Sequence, residues 1–217
     1  MEMEEDMEME QMNPLQVCVK AAIDDPLALG DCQASQTVLL ILEEKEIPYD
    51  VDFINANDIP EWFLRISPEG KLPAVQIDGV WYLDADAIAE KLEDRFKIPS
   101  LANTIDLSSL TDPRDGTEVA MVSEFYKFEE HLRRYGPFVE GDDITLYDLK
   151  LAPLLYQINI LLKKVKKWNA PGYLPHGENY YEMLYSRLSF IKTRASEESI
   201  IAAWTENGSG KSSDSVL

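Results

Sequence analysis

The chain has 217 residues, a formal net charge of −20 and 45% hydrophobic residues, enough for a packed core in one large domain or two small ones. The negative charge argues against nucleic acid and anionic membrane as partners, because both would repel it. Apolar runs are all shorter than the roughly 18 residues of a membrane span, and two cysteines are too few for a disulfide framework, so a reducing, cytoplasmic compartment is expected.

The first residues alternate methionine with glutamate. Like charges repel one another and no apolar face forms, so we expect residues 1–14 to be a disordered acidic tail. This start is neither basic nor apolar, which distinguishes it from a secretory signal and from a transit peptide.

A strand, a loop and a helix then bring a cysteine to a special position. Residues 15–19 alternate as a strand does, and residues 33–46 carry apolar side chains at helical spacing, so Cys32 stands at a helix start. Unpaired backbone N–H groups and the positive end of the helix dipole favour the thiolate there, which is the reactive form. Cys32 is therefore a candidate nucleophile, although a small buried side chain is the commoner fate of a lone cysteine. Cys18, within the strand, is expected to be packed, with a resolving partner for Cys32 as the less favoured alternative. Lys20 at the strand end is either close to Cys32 or an ordinary solvated lysine.

The next segment predicts a strand over 51–54, a short helix for which Asp58 is a candidate cap, and a strand that begins at Pro73, because proline cannot donate within a sheet ladder. Asp78-Gly79 predicts a tight hairpin, and a helix from residue 84 to about 96 follows. The order β-α-β-α-β-β-α predicts a compact two-layer α/β unit over residues 15–97.

The remainder is predicted to be helical after a linker at 98–111. Apolar residues at helical spacing mark a stripe in the first helix (Val119, Val122, Phe125, Phe128 and Leu132), and Thr145 with Asp148 forms a capping box. Further helices are expected near 178–186 and 190–203. The helical domain is placed at 112–206, and the polar residues 207–217 are expected to be disordered.

Short stretches along the chain carry a family pattern: VCVKAA (17–22), LGDC (29–32), LEEK (42–45), WFL (62–64), ISPEGK (66–71), DGTE (115–118), LAP (151–153), LY (155–156), KTR (192–194) and IAAW (201–204). Together they resemble the plant dehydroascorbate reductases, a class of the glutathione transferase superfamily. The resemblance covers almost everything from residue 15 to residue 204, and it is far more specific than the Cys-x-x-Ser spacing.

The resemblance implies a thioredoxin-like α/β domain followed by an all-α domain, the glutathione transferase architecture. It implies a glutathione-dependent reduction of dehydroascorbate to ascorbate, with Cys32 as nucleophile and glutathione as co-substrate. No metal site is expected, because the two histidines, His131 and His176, lie far apart in the sequence. Matching positions then suggest the ligand contacts: ascorbate and glutathione near Lys20 and Asp31, the glutathione cysteinyl unit on the Leu72 backbone before a cis-Pro73, the γ-glutamyl end near Asp84, and the substrate cleft at Trp204.

The sequence also departs from the family pattern. The usual Cys-Pro-Phe-Ser is replaced at residues 32–35 by Cys-Gln-Ala-Ser, a serine that binds glutathione by Ala85, a lysine by Ile59 and a histidine by Gln157. We keep Ala85 and Gln157 as candidate binding positions, because Gln157 still offers hydrogen bonds. About one helix of chain is absent between residues 101 and 115 relative to the family.

These departures leave three functions open. The first is the reductase, the second a general glutathione-linked thioltransferase that acts on mixed disulfides, and the third a binding protein with a weakened glutathione site. We expect a monomer, with self-association through the face that the absent helix would leave as the alternative.

Overall fold

The structure is a computed structural model that describes residues 13–97, 99–101, 118–165, 167 and 174–209. Its first part is a mixed four-stranded sheet with the strand order β2-β1-β3-β4. The strands are β1 (Leu15–Lys20), β2 (Tyr49–Ile54), β3 (Ala74–Ile77) and β4 (Val80–Tyr82). Strands β1 and β2 run parallel, while β3 is antiparallel to both β1 and β4.

The helices of this part are α1 (Gln33–Glu44), α2 (Glu61–Leu64) and α3 (Ala85–Arg95). Alternation along β1 sends its side chains to opposite faces of the sheet. Val17 and Val19 join the large core with α1 and α3, whereas Cys18 joins a second, smaller core with Phe63 of α2. The unit therefore has three layers and not the predicted two, because the short α2 covers the face that Cys18 occupies.

The turns follow the predicted chemistry with one exception. Asp78 and Gly79 both have positive φ, 51° and 80°, as the expected tight hairpin between β3 and β4 requires. The exception is the start of α2, where Pro60 and not Asp58 stands at the N-cap position. The Asp58 side chain therefore does not cap α2 as predicted.

The second part is helical. It contains α4 (Glu118–Tyr135), α5 (Leu146–Ile160), α6 (Pro175–Tyr185), α7 (Leu188–Thr193) and α8 (Glu197–Ser209), with a π-helical turn at Leu161–Val165. Thr145 and Asp148 form the predicted capping box. The Asp148 carboxylate accepts from the Thr145 backbone N–H at 2.8 Å and also from the Thr145 hydroxyl at 3.1 Å.

The end of the chain differs from the prediction in two ways. The single helix expected over 190–203 is two helices, because Arg194 takes an extended backbone (ψ 141°) and the Ser196 hydroxyl accepts from the Ser199 N–H at 3.0 Å. Helix α8 then continues to Ser209, three residues into the segment that was expected to be disordered. Of the acidic tail expected over 1–14, residues 1–12 lie outside the described part, as do the residues after 209.

The two parts meet where α1 packs against α5 and α7. Pro153 lies inside α5 and has no N–H, so the carbonyl of Leu149, four residues earlier, lacks its usual helical donor. The Thr37 hydroxyl of α1 donates to that carbonyl at 3.4 Å. A second link is the Arg187–Glu44 ion pair between the two parts, in which two guanidinium nitrogens lie 2.7 and 2.5 Å from the carboxylate oxygens.

The apolar stripe on α4 turns toward the rest of the helical part where its side chains are described. Leu132 is buried, and the Phe128 ring meets Tyr180 edge-on at 5.2 Å. These contacts favour a stripe that faces the core over an open one. The predicted absence of a helix between 101 and 115 concerns residues that, after Leu101, lie outside the described part. No described helix is both long and apolar enough to cross a membrane.

A buried lysine ties the end of α1 to the segment that leaves α3. The Lys45 side chain is fully buried, and its ammonium lies 2.6 Å from each of the Phe96 and Pro99 carbonyl oxygens and 2.8 Å from Glu93. Three acceptors satisfy all three ammonium hydrogens. Glu93 in turn accepts from the Leu101 N–H at 3.1 Å, so a single charge cluster holds Phe96, Pro99 and Leu101.

Replacing this lysine tests how much the cluster stabilises the fold. Lys45→Met should lower the free energy of unfolding by about 3–5 kcal/mol, since it leaves a partly buried carboxylate and two carbonyls without their cation. Urea denaturation followed by circular dichroism measures the change. The matched control is Lys127→Met, which breaks an exposed ion pair within α4 and should cost less than about 1 kcal/mol. Equal losses in the two variants would contradict the role given to Lys45.

Candidate active site

Cys32 is the N-cap residue of α1. Its backbone is extended (φ −79°, ψ 104°), its carbonyl already accepts from the Gln36 N–H at 3.1 Å, and its Sγ accepts from the Ser35 N–H at 3.4 Å. The side chain is partly exposed. The sulfur therefore occupies the position in which a capping oxygen usually sits, where a negative charge is stabilised by orphan N–H groups and by the helix dipole.

The other cysteine has the opposite environment. Cys18 lies in β1, is fully buried and packs beside Ala74. Burial, reinforced by the nearby Asp52 carboxylate, raises the pKa of the Cys18 thiol to about 12. The thiolate is the nucleophilic form, so Cys18 is inert as a nucleophile and serves as a small apolar side chain, as predicted.

The loop between β1 and α1, residues 21–32, is named the cysteine loop. It folds back on β1 and places Asp31 and Cys32 beside the end of that strand. Gly30 N–H donates to the Lys20 carbonyl at 2.9 Å, and a Cβ on Gly30 would lie 2.4 Å from the Ala21 carbonyl oxygen. Only glycine permits this close approach. The loop geometry thus depends on Gly30.

Lys20 and Asp31 form an ion pair beside the cysteine. The Lys20 ammonium lies 2.6 Å from Asp31 Oδ1, and about a quarter of each side chain is exposed. Lys20 thus pairs with the residue that precedes Cys32 in the chain. The result is a partly exposed ion pair at the end of β1, beside the cysteine.

The cis peptide between Leu72 and Pro73 lies on the same side of the sheet unit. The antiparallel register sets Cys18 opposite Ala74, so the peptide before β3 lies next to the end of β1 that carries Lys20. Pro73 is buried and Leu72 is half-buried. The predicted cis proline is present, and the Leu72 backbone borders the cysteine loop.

Asp84 and Ala85 open α3. The Asp84 carboxylate caps the helix by accepting from the N–H groups of Asp86 and Ala87 at 3.1 and 3.0 Å. Asp84 therefore has a structural role in addition to the ligand contact that the resemblance implies. Ala85 occupies the first helical position and offers no polar group.

Two further positions fit the expectation less closely. Ile59, which replaces a family lysine, packs into the second core, and its Cδ1 lies 2.5 Å from where a Cβ on Gly70 would be. It acts as a core side chain. Trp204 is 46% exposed on α8, and its place at a substrate cleft stays a prediction.

Gln157 reaches the cysteine loop from the other part of the chain. This buried side chain of α5 donates from Nε2 to the Asp31 carbonyl at 2.9 Å and accepts from Gln33 Nε2 at 3.1 Å. Sequence reasoning noted Gln33 only as a departure from the family, and nothing in the sequence signals its bond to a residue so far along the chain. Among the described residues, no group of three or more His, Cys, Asp or Glu is placed to hold a metal ion.

The chain is similar in sequence to known proteins. The glutathione S-transferase N-terminal domain family matches residues 31–95. The chain is 43% identical over 205 residues to the probable cytosolic glutathione S-transferase DHAR1 of Oryza sativa subsp. japonica and 43% identical over 205 residues to glutathione S-transferase DHAR2 of Arabidopsis thaliana. Each match covers 88% of this chain and 96% of the relative.

Solved structures show the same fold. The crystal structure of Chlamydomonas reinhardtii dehydroascorbate reductase matches with a TM-score of 0.75 and 26% identity, over 89% of this chain and 98% of that one. The CLIC homologue EXC-4 of C. elegans matches with a TM-score of 0.77 and 18% identity, over 91% of this chain and 88% of that one. These matches confirm the predicted architecture, an α/β thioredoxin-like domain followed by a helical one.

Alkylation distinguishes the two cysteines. At neutral pH, Cys32 should react with iodoacetamide at least about a hundredfold faster than Cys18, because Cys18 is buried and protonated while Cys32 is partly exposed at a helix N-terminus. Peptide mass mapping after timed labelling of the native protein measures both rates. Labelling in urea, where both should react, serves as the control, and equal native rates would refute the assignment of Cys32.

Proposed function

The chain belongs to the plant-type dehydroascorbate reductases of the glutathione transferase superfamily, and we propose from this premise that it reduces dehydroascorbate to ascorbate with glutathione as the reductant. The observation that carries the proposal is the Cys32 sulfur at the N-terminus of α1, in contact with the Ser35 N–H. The sulfur is partly exposed there and faces a backbone N–H and the positive end of the helix dipole.

In the first half-reaction the Cys32 thiolate attacks dehydroascorbate. Two electrons pass from sulfur to the substrate, water supplies an oxygen to the sulfur and a proton to the product, and ascorbate monoanion leaves. Cys32 is left as a sulfenic acid, the first step of cysteine oxidation and a reversible one. The Lys20 ammonium, 2.6 Å from Asp31, supplies the positive charge that favours the developing ascorbate anion.

In the second half-reaction glutathione returns the cysteine to its reduced state. One glutathione condenses with the sulfenic acid, which forms a mixed disulfide and releases water. A second glutathione thiolate attacks the glutathione sulfur of that disulfide, which forms oxidised glutathione and frees the Cys32 thiolate. These steps divide one two-electron reduction into several nucleophilic reactions, all of which involve the Cys32 sulfur.

The proposed glutathione site uses backbone and charge around the cysteine loop. The backbone of Leu72, which precedes the cis-proline, would pair with the glutathione cysteinyl unit as a neighbouring strand would. Leu72 lies just outside the ladder of β1 and β3, which ends at the pair of Cys18 with Ala74. The γ-glutamyl end would lie near Asp84 at the start of α3. Ala85 lacks the hydroxyl of the family serine, so we propose that glutathione binds more weakly here than in the family.

We also propose the setting in which this reaction takes place. The similarity to a rice relative named cytosolic supports a cytoplasmic location. The core-facing contacts of Phe128 and Leu132 support a monomer over self-association through α4. Small molecules are the proposed partners, since a net charge of −20 disfavours nucleic acid.

An assay of glutathione-dependent dehydroascorbate reduction tests the function. The wild-type chain and Cys18→Ala should both form ascorbate. Cys32→Ser should lose at least about a thousandfold in turnover, because a serine hydroxyl cannot be oxidised in the way that a cysteine sulfur is. Ascorbate is followed by its ultraviolet absorbance. A mixed disulfide of glutathione with a small thiol is run in parallel.

The parallel substrate decides between the two enzyme candidates. Faster turnover of dehydroascorbate than of the mixed disulfide supports the reductase. Turnover of the mixed disulfide alone would replace it by a glutathione-linked thioltransferase, and no Cys32-dependent turnover of either substrate would leave a binding protein.

Restoring one hydroxyl tests the glutathione site. Ala85→Ser should lower the glutathione KM about tenfold, since a hydrogen bond to a charged group contributes about 1.5–3 kcal/mol. The matched control is Ala87→Ser, which adds the same hydroxyl two residues further along α3 and should leave the KM unchanged. Steady-state kinetics at varied glutathione measure both, and an unchanged KM in Ala85→Ser would mean that glutathione does not bind at the start of α3.

A further inference from the structure

The side chain of Gln157 holds both neighbours of the nucleophile. Its Nε2 donates to the carbonyl of Asp31, the residue before Cys32, at 2.9 Å. Its Oε1 accepts from the side chain of Gln33, the residue after Cys32, at 3.1 Å. One amide on α5 therefore spans the cysteine from both sides.

We propose that Gln157, acting with Gln33, is a positioning residue that seats Cys32 from the helical part, and not a substrate-binding residue. The inference deepens the proposed function, on which it rests in taking Cys32 as the nucleophile. We name the Asp31–Gln157–Gln33 contact the amide clamp.

The clamp compensates for a backbone restraint that is missing at position 33. Cys32 must keep an extended backbone while residue 33 already takes helical angles. Proline, the family residue at position 33, fixes its own φ near the helical value and so presets this junction. Gln33 leaves the junction free to rotate, and the two hydrogen bonds of the clamp restrain the residues on either side of it.

Burial and geometry separate Gln157 from a ligand contact. Only 8% of the residue is exposed; its Nε2 donates to the Asp31 carbonyl of the loop, and its Oε1 accepts from the Gln33 side chain at the start of α1. Burial leaves little room for a ligand to reach the one N–H and the one lone pair that these two bonds leave over. The position that the family fills with a histidine therefore takes a different role here.

A second side-chain hydrogen bond joins α5 to α1 close to the clamp. One turn before Gln157, Pro153 interrupts the α5 hydrogen bonds, and the Thr37 hydroxyl of α1 binds the Leu149 carbonyl that this leaves open. Side chains thus link α5 to α1 and the residues before it at two points. Of these two contacts, the amide clamp is the one that involves the residues flanking the cysteine, so Thr37 provides a matched control.

The clamp also joins the two parts of the chain at one residue. The Asp31 side chain pairs with Lys20 of β1, while its carbonyl is bound by Gln157 of α5. A shift of α5 against the sheet would move Asp31 and release the sulfur from the Ser35 N–H. The reactivity of Cys32 is therefore coupled to the packing of the helical part.

The rate at which iodoacetamide alkylates Cys32 at pH 7 tests the clamp without any turnover. Gln157→Leu should slow this reaction about three- to tenfold, the effect of one or two neutral hydrogen bonds. Gln33→Ala should also slow it, and the double variant should be no slower than Gln157→Leu, because the two residues act as a unit. Thr37→Val likewise deprives one carbonyl of its side-chain donor, but it should leave the rate unchanged.

A rescue separates positioning from general destabilisation. Adding Gln33→Pro to Gln157→Leu should restore the alkylation rate, since proline presets the same backbone.

In the reductase assay, Gln157→Leu should lower kcat and leave the glutathione KM unchanged. An unchanged alkylation rate with a raised glutathione KM would make Gln157 a ligand residue, and equal slowing by Thr37→Val would reduce the clamp to packing. Either result overturns the proposal. If the wild type reduces no dehydroascorbate, the proposed function fails, while the alkylation rates still decide the clamp.

Discussion

The N-terminus of α1 has to be held against both halves of the molecule, and the rest of the structure depends on that constraint. The body of the helix is buried between the sheet and α5, with Val38 and Ile41 fully enclosed. Its start is less enclosed, since Cys32, Gln33 and Ala34 are partly exposed. Burial of the helix body fixes the axis, so the N–H groups of the first turn point toward the Cys32 sulfur. The charge cluster around Lys45 fixes the opposite end of the same helix.

Environment, and not residue type, decides what each cysteine does. Cys18 and Cys32 are separated by one strand end and one loop. The first points into an apolar layer covered by α2, where burial keeps the thiol protonated. The second occupies a capping position, where the helix supplies N–H donors to a negative charge. The close approach of Gly30 to β1 makes this difference possible, because it turns the chain from the strand edge to the helix start within a few residues.

Local patterns predicted most of the fold. Alternation identified the strands, Asp78-Gly79 identified the hairpin, and the Thr145–Asp148 spacing identified the start of α5, because each feature is settled by neighbours within a few residues. Two errors were local: Asp58 does not cap α2, and Arg194 ends a helix that was expected to continue. The layer formed by α2 depends instead on packing, because Phe63 and Cys18 share one face of the sheet, and the burial of Lys45 likewise depends on residues some fifty positions away. The contact between Gln33 and Gln157 joins residues more than a hundred positions apart, so only the tertiary structure reveals it.

The proposed mechanism requires that the Cys32 sulfur itself gives two electrons to dehydroascorbate. In a single-turnover reaction without glutathione, reduced protein is mixed with excess dehydroascorbate, ascorbate is followed by its absorbance, and the sulfur is trapped with a reagent specific for sulfenic acid. About one ascorbate per chain and a trapping adduct on Cys32 alone are expected. No ascorbate without glutathione, or the same yield from Cys32→Ser, would contradict the mechanism.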